Sequence, residues 1–204
     1  MSLVWVSRAM KHASNQRPFR NDVAERDHDR LLEIGRANNL GEKLAPSDFP
    51  QEIFGQPYAR EKDYRLPDLF HAYGYWVVSQ VAADVLRQFD LGQSGFYPVR
   101  VLRNDRQTPV EGGWFSINFG NAKSAVALEQ SEKIRPGAQG RYIMPVTIAD
   151  DQLAVSAAAL DPPDIWVDPQ LWDAFFVSEE LGKALRKAKI AKSFFLTKCR
   201  VLDA

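Results

Sequence analysis

Residues 161–173 combine carboxylates, prolines and tryptophans at a spacing that could support chemistry. Closely spaced carboxylates can act as a general acid and a general base, whereas tryptophans surrounded by charged side chains are typical of protein interfaces. The prolines restrict the segment to an extended path, and it has neither the glycine turn nor the closing glutamate of a calcium loop. We therefore interpret it as a rigid acidic connector, and its functional role would be contact with a protein partner through Asp161, Asp164, Trp166, Asp168, Trp172 and Asp173.

The same carboxylates leave a second interpretation open. Asp161, Asp164 and Asp168 could form the site of a small hydrolase or transferase together with His71. Such an enzyme needs a deep pocket with converging titratable groups, whereas a binding protein needs a flatter surface that combines charge with exposed aromatic rings. The enzyme is the alternative to our leading hypothesis, which is a non-enzymatic binding protein.

Other residue types that often carry chemistry lack the partners they would need. Cys199 could act as a nucleophile only with a base nearby, but it lies within a predicted strand where successive side chains alternate faces, which indicates a structural cysteine. His28 lies between two aspartates, but no cysteine or second histidine stands at ligand spacing. Ser79 and Ser178 follow apolar runs without a Gly-x-Ser-x-Gly motif, so helix N-capping explains both. We expect no catalytic residue, no cofactor and no metal site.

Charge is balanced over the whole chain but not along it. The 204 residues include 26 basic and 26 acidic side chains, and this neutrality argues against nucleic acid or an anionic membrane as the partner. Residues 142–182 contain eight acids and no lysine or arginine, whereas residues 183–200 contain seven bases and no acid. Such separation favours encounter with an oppositely charged protein.

Several features favour a cytoplasmic location. The lone Cys199 cannot form an internal disulfide, which permits a reducing compartment. No apolar run approaches the roughly 20 residues that would span a bilayer. The first seven residues contain a short apolar stretch with no basic residue before it, and they predict a first strand rather than a signal peptide.

The predicted elements indicate an α+β fold with a mainly antiparallel or mixed sheet. Residues 1–66 are polar and interrupted by prolines, so we expect an irregular N-terminal segment, containing a helix over 29–40, that packs on a domain spanning 67–204. Two later segments repeat one order: an apolar run, a serine N-cap, an amphipathic helix and an aromatic-rich strand. These two related helix–strand units, offset by 99 residues, predict core positions at Leu86, Phe89, Leu181 and Leu185.

The order of these pieces resembles bacterial polymorphic-toxin immunity proteins, a family related to an immunity protein of myxobacteria. The residues that carry the resemblance are Pro67-Asp68-Leu69, Val78-Ser79, Phe96-Tyr97-Pro98-Val99, Ile117-Asn118, Ser131, Asp164-Ile165-Trp166 and residues 176–190. The resemblance covers residues 67–202. It implies a cytosolic α+β protein that binds a protein toxin and blocks it, with no cofactor. The residues themselves do not decide the oligomeric state.

Overall fold

The computed structural model describes residues 3–202. Its helices are α1 (Asp22–Arg26), α2 (His28–Asn39), α3 (Gln80–Leu86), α4 (Glu179–Lys187) and α5 (Ala191–Phe194). Its strands are β1 (Val4–Ser7), β2 (Phe19–Asn21), β3 (Glu52–Gly55), β4 (Leu69–Ala72), β5 (Tyr75–Ser79), β6 (Gly95–Pro98), β7 (Arg100–Leu102), β8 (Trp114–Asn118), β9 (Arg135–Pro136), β10 (Tyr142–Ile143), β11 (Leu153–Val155), β12 (Ile165–Trp166), β13 (Leu171–Trp172), β14 (Phe175–Ser178) and β15 (Leu196–Val201). Several short 3-10 turns connect them.

A five-stranded mixed sheet joins the two ends of the chain. Its strand order is β11-β15-β1-β14-β12, and β1 runs antiparallel to both of its neighbours. All four residues of β1 are buried, as expected for a central strand that is covered on both faces. The predicted first strand is therefore a central element of this sheet.

A four-stranded antiparallel sheet in the order β4-β5-β8-β6 lies across the core from the first. Its hairpin between β4 and β5 turns on Tyr73 and Gly74, whose φ angles are 45° and 96°. Positive φ at both central residues matches the right-handed twist of the strands they join. Two smaller sheets, β2-β3-β7 and β13-β10-β9, complete the strand pairing.

The predicted strand over residues 96–102 is divided between two sheets. β6 ends at Pro98 and pairs with β8, whereas β7 begins at Arg100 and pairs with β3. Proline cannot donate a ladder hydrogen bond, so it marks the end of regular pairing. The Val99 N–H donates instead to the Trp114 carbonyl at 3.0 Å.

The two related units are present as β5–α3 and β14–α4, and they pack in one core. Leu86 of α3 and Leu181 and Leu185 of α4 are fully buried in the same hydrophobic cluster, while Phe89 packs against it partly buried. Ser79 accepts a hydrogen bond from the Ala82 N–H at 3.1 Å, and the Ser178 hydroxyl accepts one from Leu181 N–H at 3.3 Å. The predicted α+β class is confirmed.

The N-terminal part of the chain is held to the antiparallel sheet by a buried polar contact. Helix α2 spans 28–39, one residue earlier than predicted at each end. Near its end, the Asn38 side chain accepts from Phe119 N–H at 2.8 Å and donates to the Ile117 carbonyl at 3.0 Å. These bonds fix the position of α2 on the core, and the division at residue 66 stays a prediction.

We predict that Ser178→Ala lowers the free energy of unfolding by about 1 kcal/mol, because one N–H of the first turn of α4 loses its acceptor. Ser79→Ala costs more, about 2 kcal/mol, since the Ser79 hydroxyl also donates to the Asp68 carboxylate at 2.7 Å. Urea unfolding of each variant measures the loss. Ser124→Ala, at an exposed loop position, is the control, and an equal effect at all three serines would contradict the capping roles.

Candidate functional site

The acidic segment begins at an exposed corner where Asp161 and Asp164 lie beside Lys123. The Lys123 ammonium donates to the carbonyl oxygens of Asp161 and Pro163. Partial burial lowers the pKa of Lys123, and the charges of Asp161, Asp164 and Asp90 oppose that shift. Three carboxylates around one lysine leave this corner with a net negative charge.

Asp164 also connects the two helical units. Its backbone N–H donates to the Asp90 carbonyl at 2.8 Å, and its carboxylate accepts from the Asp90 N–H at 2.8 Å. Its carbonyl oxygen accepts from Ser178 N–H at 2.9 Å. The segment is thereby tied to the loop after α3 and to the start of α4, and it presents a fixed conformation.

The middle of the segment lies inside the protein. Trp166 has no exposed surface and stacks on Phe176 at a ring separation of 4.1 Å. The Asp168 side chain is equally inaccessible and accepts three backbone N–H groups, from Ala125 at 2.9 Å, Val126 at 2.8 Å and Gln170 at 2.9 Å. Because both side chains are buried, neither Trp166 nor Asp168 can contact a partner in this fold. Both stabilise the loop before β13.

The segment returns to the surface at Trp172 and Asp173. The Trp172 ring is partly exposed and stacks against the Arg141 guanidinium, whose carbon lies 3.9 Å from the ring centre. Burial lowers the pKa of Arg141, although Asp173 and Asp168 oppose the shift. Asp173 lies 3.6 Å from the Lys11 ammonium. Four of the six predicted contact residues therefore reach the surface, at two separate ends of the segment.

His71 uses both ring nitrogens within the fold. One is 2.8 Å from the Gln16 side-chain oxygen, and the other accepts from Gly74 N–H at 3.1 Å. Burial lowers the pKa of His71 to about 4, against the opposing charge of Asp173. None of these hydrogen bonds joins His71 to Asp161, Asp164 or Asp168, so the described residues do not show the proposed catalytic grouping as a hydrogen-bonded set.

The remaining candidates are structural. Cys199 is buried in β15, and burial raises the pKa of its thiol. A raised pKa keeps the thiol protonated and unreactive. Within residues 3–202, no group of three or more histidine, cysteine, aspartate or glutamate side chains is arranged to hold a metal ion.

One surface next to Trp172 was not anticipated from the sequence. Trp172 and the outer face of α2 enclose a groove of about 490 Å³ that also reaches Tyr73. Leu32 lies on this groove and is 59% exposed. The available signal was its place in the helix, because Leu32 falls beside the buried row of Leu31 and Ile34 rather than on it.

The structure defines an α+β protein whose prominent carboxylates and histidine mainly make hydrogen bonds within the fold. A family model described as immunity protein family (Imm11) matches residues 4–197. The chain therefore belongs to the immunity protein family Imm11. The resemblance drawn from residues 67–202 is confirmed, and the matched region also includes residues 4–66, where the sequence analysis found no similarity.

No curated protein matched the chain. In the part of the chain that the structure describes, no helix has both the length and the apolar character needed to cross a membrane.

We predict that Asp168→Ala lowers the free energy of unfolding by about 3 kcal/mol, because two buried N–H groups and one partly buried N–H group lose their acceptor. Asp168→Asn keeps one acceptor oxygen and should cost less, about 1.5 kcal/mol. Thermal or urea unfolding measures both. Asp161→Ala is the matched control at an exposed position, and a loss at Asp161 as large as that at Asp168 would contradict the assignment.

We predict that His71 makes the protein less stable as the pH falls. The unfolded chain binds a proton at His71 near pH 6.5, whereas the folded protein binds it near pH 4. Between these values the unfolded state holds more protons, so stability decreases from about pH 6.5 down to about pH 4. Urea unfolding across this range measures the free energy of unfolding of wild type and of His71→Gln. The advantage of the wild type over His71→Gln should become smaller as the pH falls from about 6.5 to about 4. A pH-independent difference would contradict the lowered pKa.

Proposed function

We propose that the chain is a non-enzymatic immunity protein that binds a cognate protein toxin of a bacterial polymorphic toxin system in the cytoplasm and blocks it. The observation that carries this proposal is the family match over residues 4–197. An immunity protein of this kind needs no cofactor, because it acts by occupying its partner in a one-to-one complex.

The internal contacts of the candidate catalytic residues support a binding role over the enzyme alternative. Asp168 is buried under three backbone N–H groups, and Asp164 holds the Asp90 loop. His71 is held as a neutral ring between Gln16 and Gly74. A general acid or base must reach substrate with an available proton site, and these groups are already engaged.

We further propose that the accessible ends of the acidic segment, Asp161 and Asp164 at one end and Trp172 and Asp173 at the other, form part of the toxin contact. At the first end, the net negative charge around Lys123 suits a basic patch on the toxin. Opposite charge speeds encounter more than it tightens the final complex. The hydrogen bonds of Asp164 preorganise this end, which reduces the entropy lost on binding.

The direct test uses as its probe a candidate toxin domain taken from a gene adjacent to that of this chain. Co-expression should restore growth of cells that make the toxin domain, and the purified pair should elute as a one-to-one complex by size-exclusion chromatography with light scattering. Growth inhibition that persists at full immunity-protein expression, together with separate elution, would overturn the proposed function.

We predict that the pair Asp161→Lys and Asp164→Asn slows association with this toxin domain by about 10-fold at low salt and flattens its salt dependence. Asparagine at 164 keeps an acceptor for the Asp90 N–H, so the fold is retained. Stopped-flow or surface plasmon resonance measures the association rate.

The control pair is Glu111→Lys and Glu129→Gln, which changes exposed carboxylates outside the acidic segment by the same amount of charge. Wild-type association rates are expected for this control. If both pairs slow association equally, the effect comes from net charge alone. If the Asp161 and Asp164 pair leaves the association rate unchanged, the Asp161 and Asp164 end of the segment is not part of the toxin contact.

A further inference from the structure

The groove beside Trp172 lies where α2 packs closely on the β4–β5 turn, and Gly74 of that turn permits the close approach. A Cβ atom at Gly35 of α2 would lie 3.7 Å from the Gly74 carbonyl oxygen, and one at Gly74 would lie 2.8 Å from Leu31. Gly35 and Gly74 both line the groove and contribute only backbone to its surface. Its walls and ends are formed by His28, Leu31, Leu32, Arg36, Asn39, Tyr73 and Trp172.

The walls of this groove are apolar and remain open to solvent. Leu32 is 59% exposed and lines the groove together with the aromatic residues Tyr73 and Trp172. An exposed apolar surface with a charged rim is typical of an interaction site. The rigid support of Trp172 by Arg141 at 3.9 Å means that this wall is already positioned before a partner arrives.

Among the described residues that line the groove, Arg36 is the side chain that carries a full charge. Neither Arg36 nor Arg20 takes part in any ion pair formed within residues 3–202. Arg36 lines the groove, and the Arg20 guanidinium lies 5.4 Å from the centre of the Tyr73 ring. The acid beside Trp172, Asp173, is paired with Lys11. A carboxylate on a ligand would complement the charge of Arg36.

We propose that the groove receives an apolar side chain of the toxin, flanked by a carboxylate that pairs with Arg36. This inference rests on the proposed function. It specifies which toxin side chains would bind at the Trp172 end of the proposed toxin contact. A second copy of this chain is a poorer occupant, because a two-fold symmetric pairing of grooves would bring Arg36 and Arg20 of both copies together. A toxin segment with an aliphatic or aromatic side chain and a neighbouring Asp or Glu would fit the shape of the groove and complement the charge of Arg36.

The test measures binding of the neighbouring gene's toxin domain to Leu32→Asp and to Arg36→Glu by isothermal titration calorimetry. Each substitution should raise the Kd by about 10-fold or more, because one removes an apolar anchor site and the other repels the carboxylate. The controls are Val81→Asp, at an apolar residue 55% exposed on α3, and Lys187→Glu, at an exposed cation of α4. Both controls should bind within about 2-fold of wild type.

A second measurement reports on the groove directly. In protein labelled with 5-fluorotryptophan, the Trp172 resonance, identified by its loss in Trp172→Phe, should shift when the toxin domain is added. Should Leu32→Asp unfold the protein, Leu32→Ala gives the same comparison with a smaller loss of apolar surface.

The outcomes separate this inference from the proposed function. One outcome is that the wild-type chain binds the toxin domain, both groove variants bind it with unchanged affinity and the Trp172 resonance does not shift. This outcome would contradict the proposed role of the groove and would leave the proposed function standing. No complex with the wild-type chain overturns both. A dimer of the free chain that Leu32→Asp converts to a monomer, seen by light scattering, would show a second copy as the occupant and would also overturn the inference.

Discussion

The pairing of the first described strand with the last two long ones is the constraint on which the rest of the structure depends. β1 lies between β14 and β15, so residues separated by 168 (Ser7 and Phe175) to 195 positions (Val4 and Cys199) must meet before the five-stranded sheet is complete. Trp5 on this strand approaches α4 so closely that a Cβ at Gly182 would lie 2.4 Å from its ring. Helix α4 is thereby seated directly on the central strand, and the Arg186 guanidinium covers the outer side of the indole at 3.9 Å.

The acidic segment takes its shape from this sheet. β12 pairs with β14 at the sheet edge, which places Trp166 against Phe176 inside the core. Asp168 follows β12 and accepts hydrogen bonds from the backbone N–H groups of Ala125, Val126 and Gln170. With its middle fixed in this way, the segment can expose only its two ends, and they differ in chemistry: carboxylates surround Lys123 at one end, and an indole backed by Arg141 stands at the other.

What the sequence predicts well in this protein is local. The caps at Ser79 and Ser178, helix α2 and the buried leucines of α3 and α4 depend on contacts within a few residues, and periodicity and capping chemistry report these directly. The burial of Trp166 and Asp168 could not be read from their neighbours, because it depends on the distant strand β14 and on residues 125 and 126. The groove could not be predicted for the same reason, since α2, the β4–β5 turn and Trp172 line it together although they are far apart in the sequence.

Under the proposed function, the two ends of the acidic segment would let a chain of zero net charge select its partner. Long-range attraction depends on the local electrostatic field rather than on the net charge of the whole chain. The carboxylates around Lys123 can therefore attract a basic surface to this end of the acidic segment. The unpaired Arg36 and Arg20 would repel that same basic surface at the groove. In the proposed complex, the toxin would place its positive charge near Lys123 and its apolar, acidic anchor in the groove. A toxin bound in the reversed orientation would meet like charge at both places. Specificity then arises from repulsion in the wrong orientation as much as from attraction in the right one.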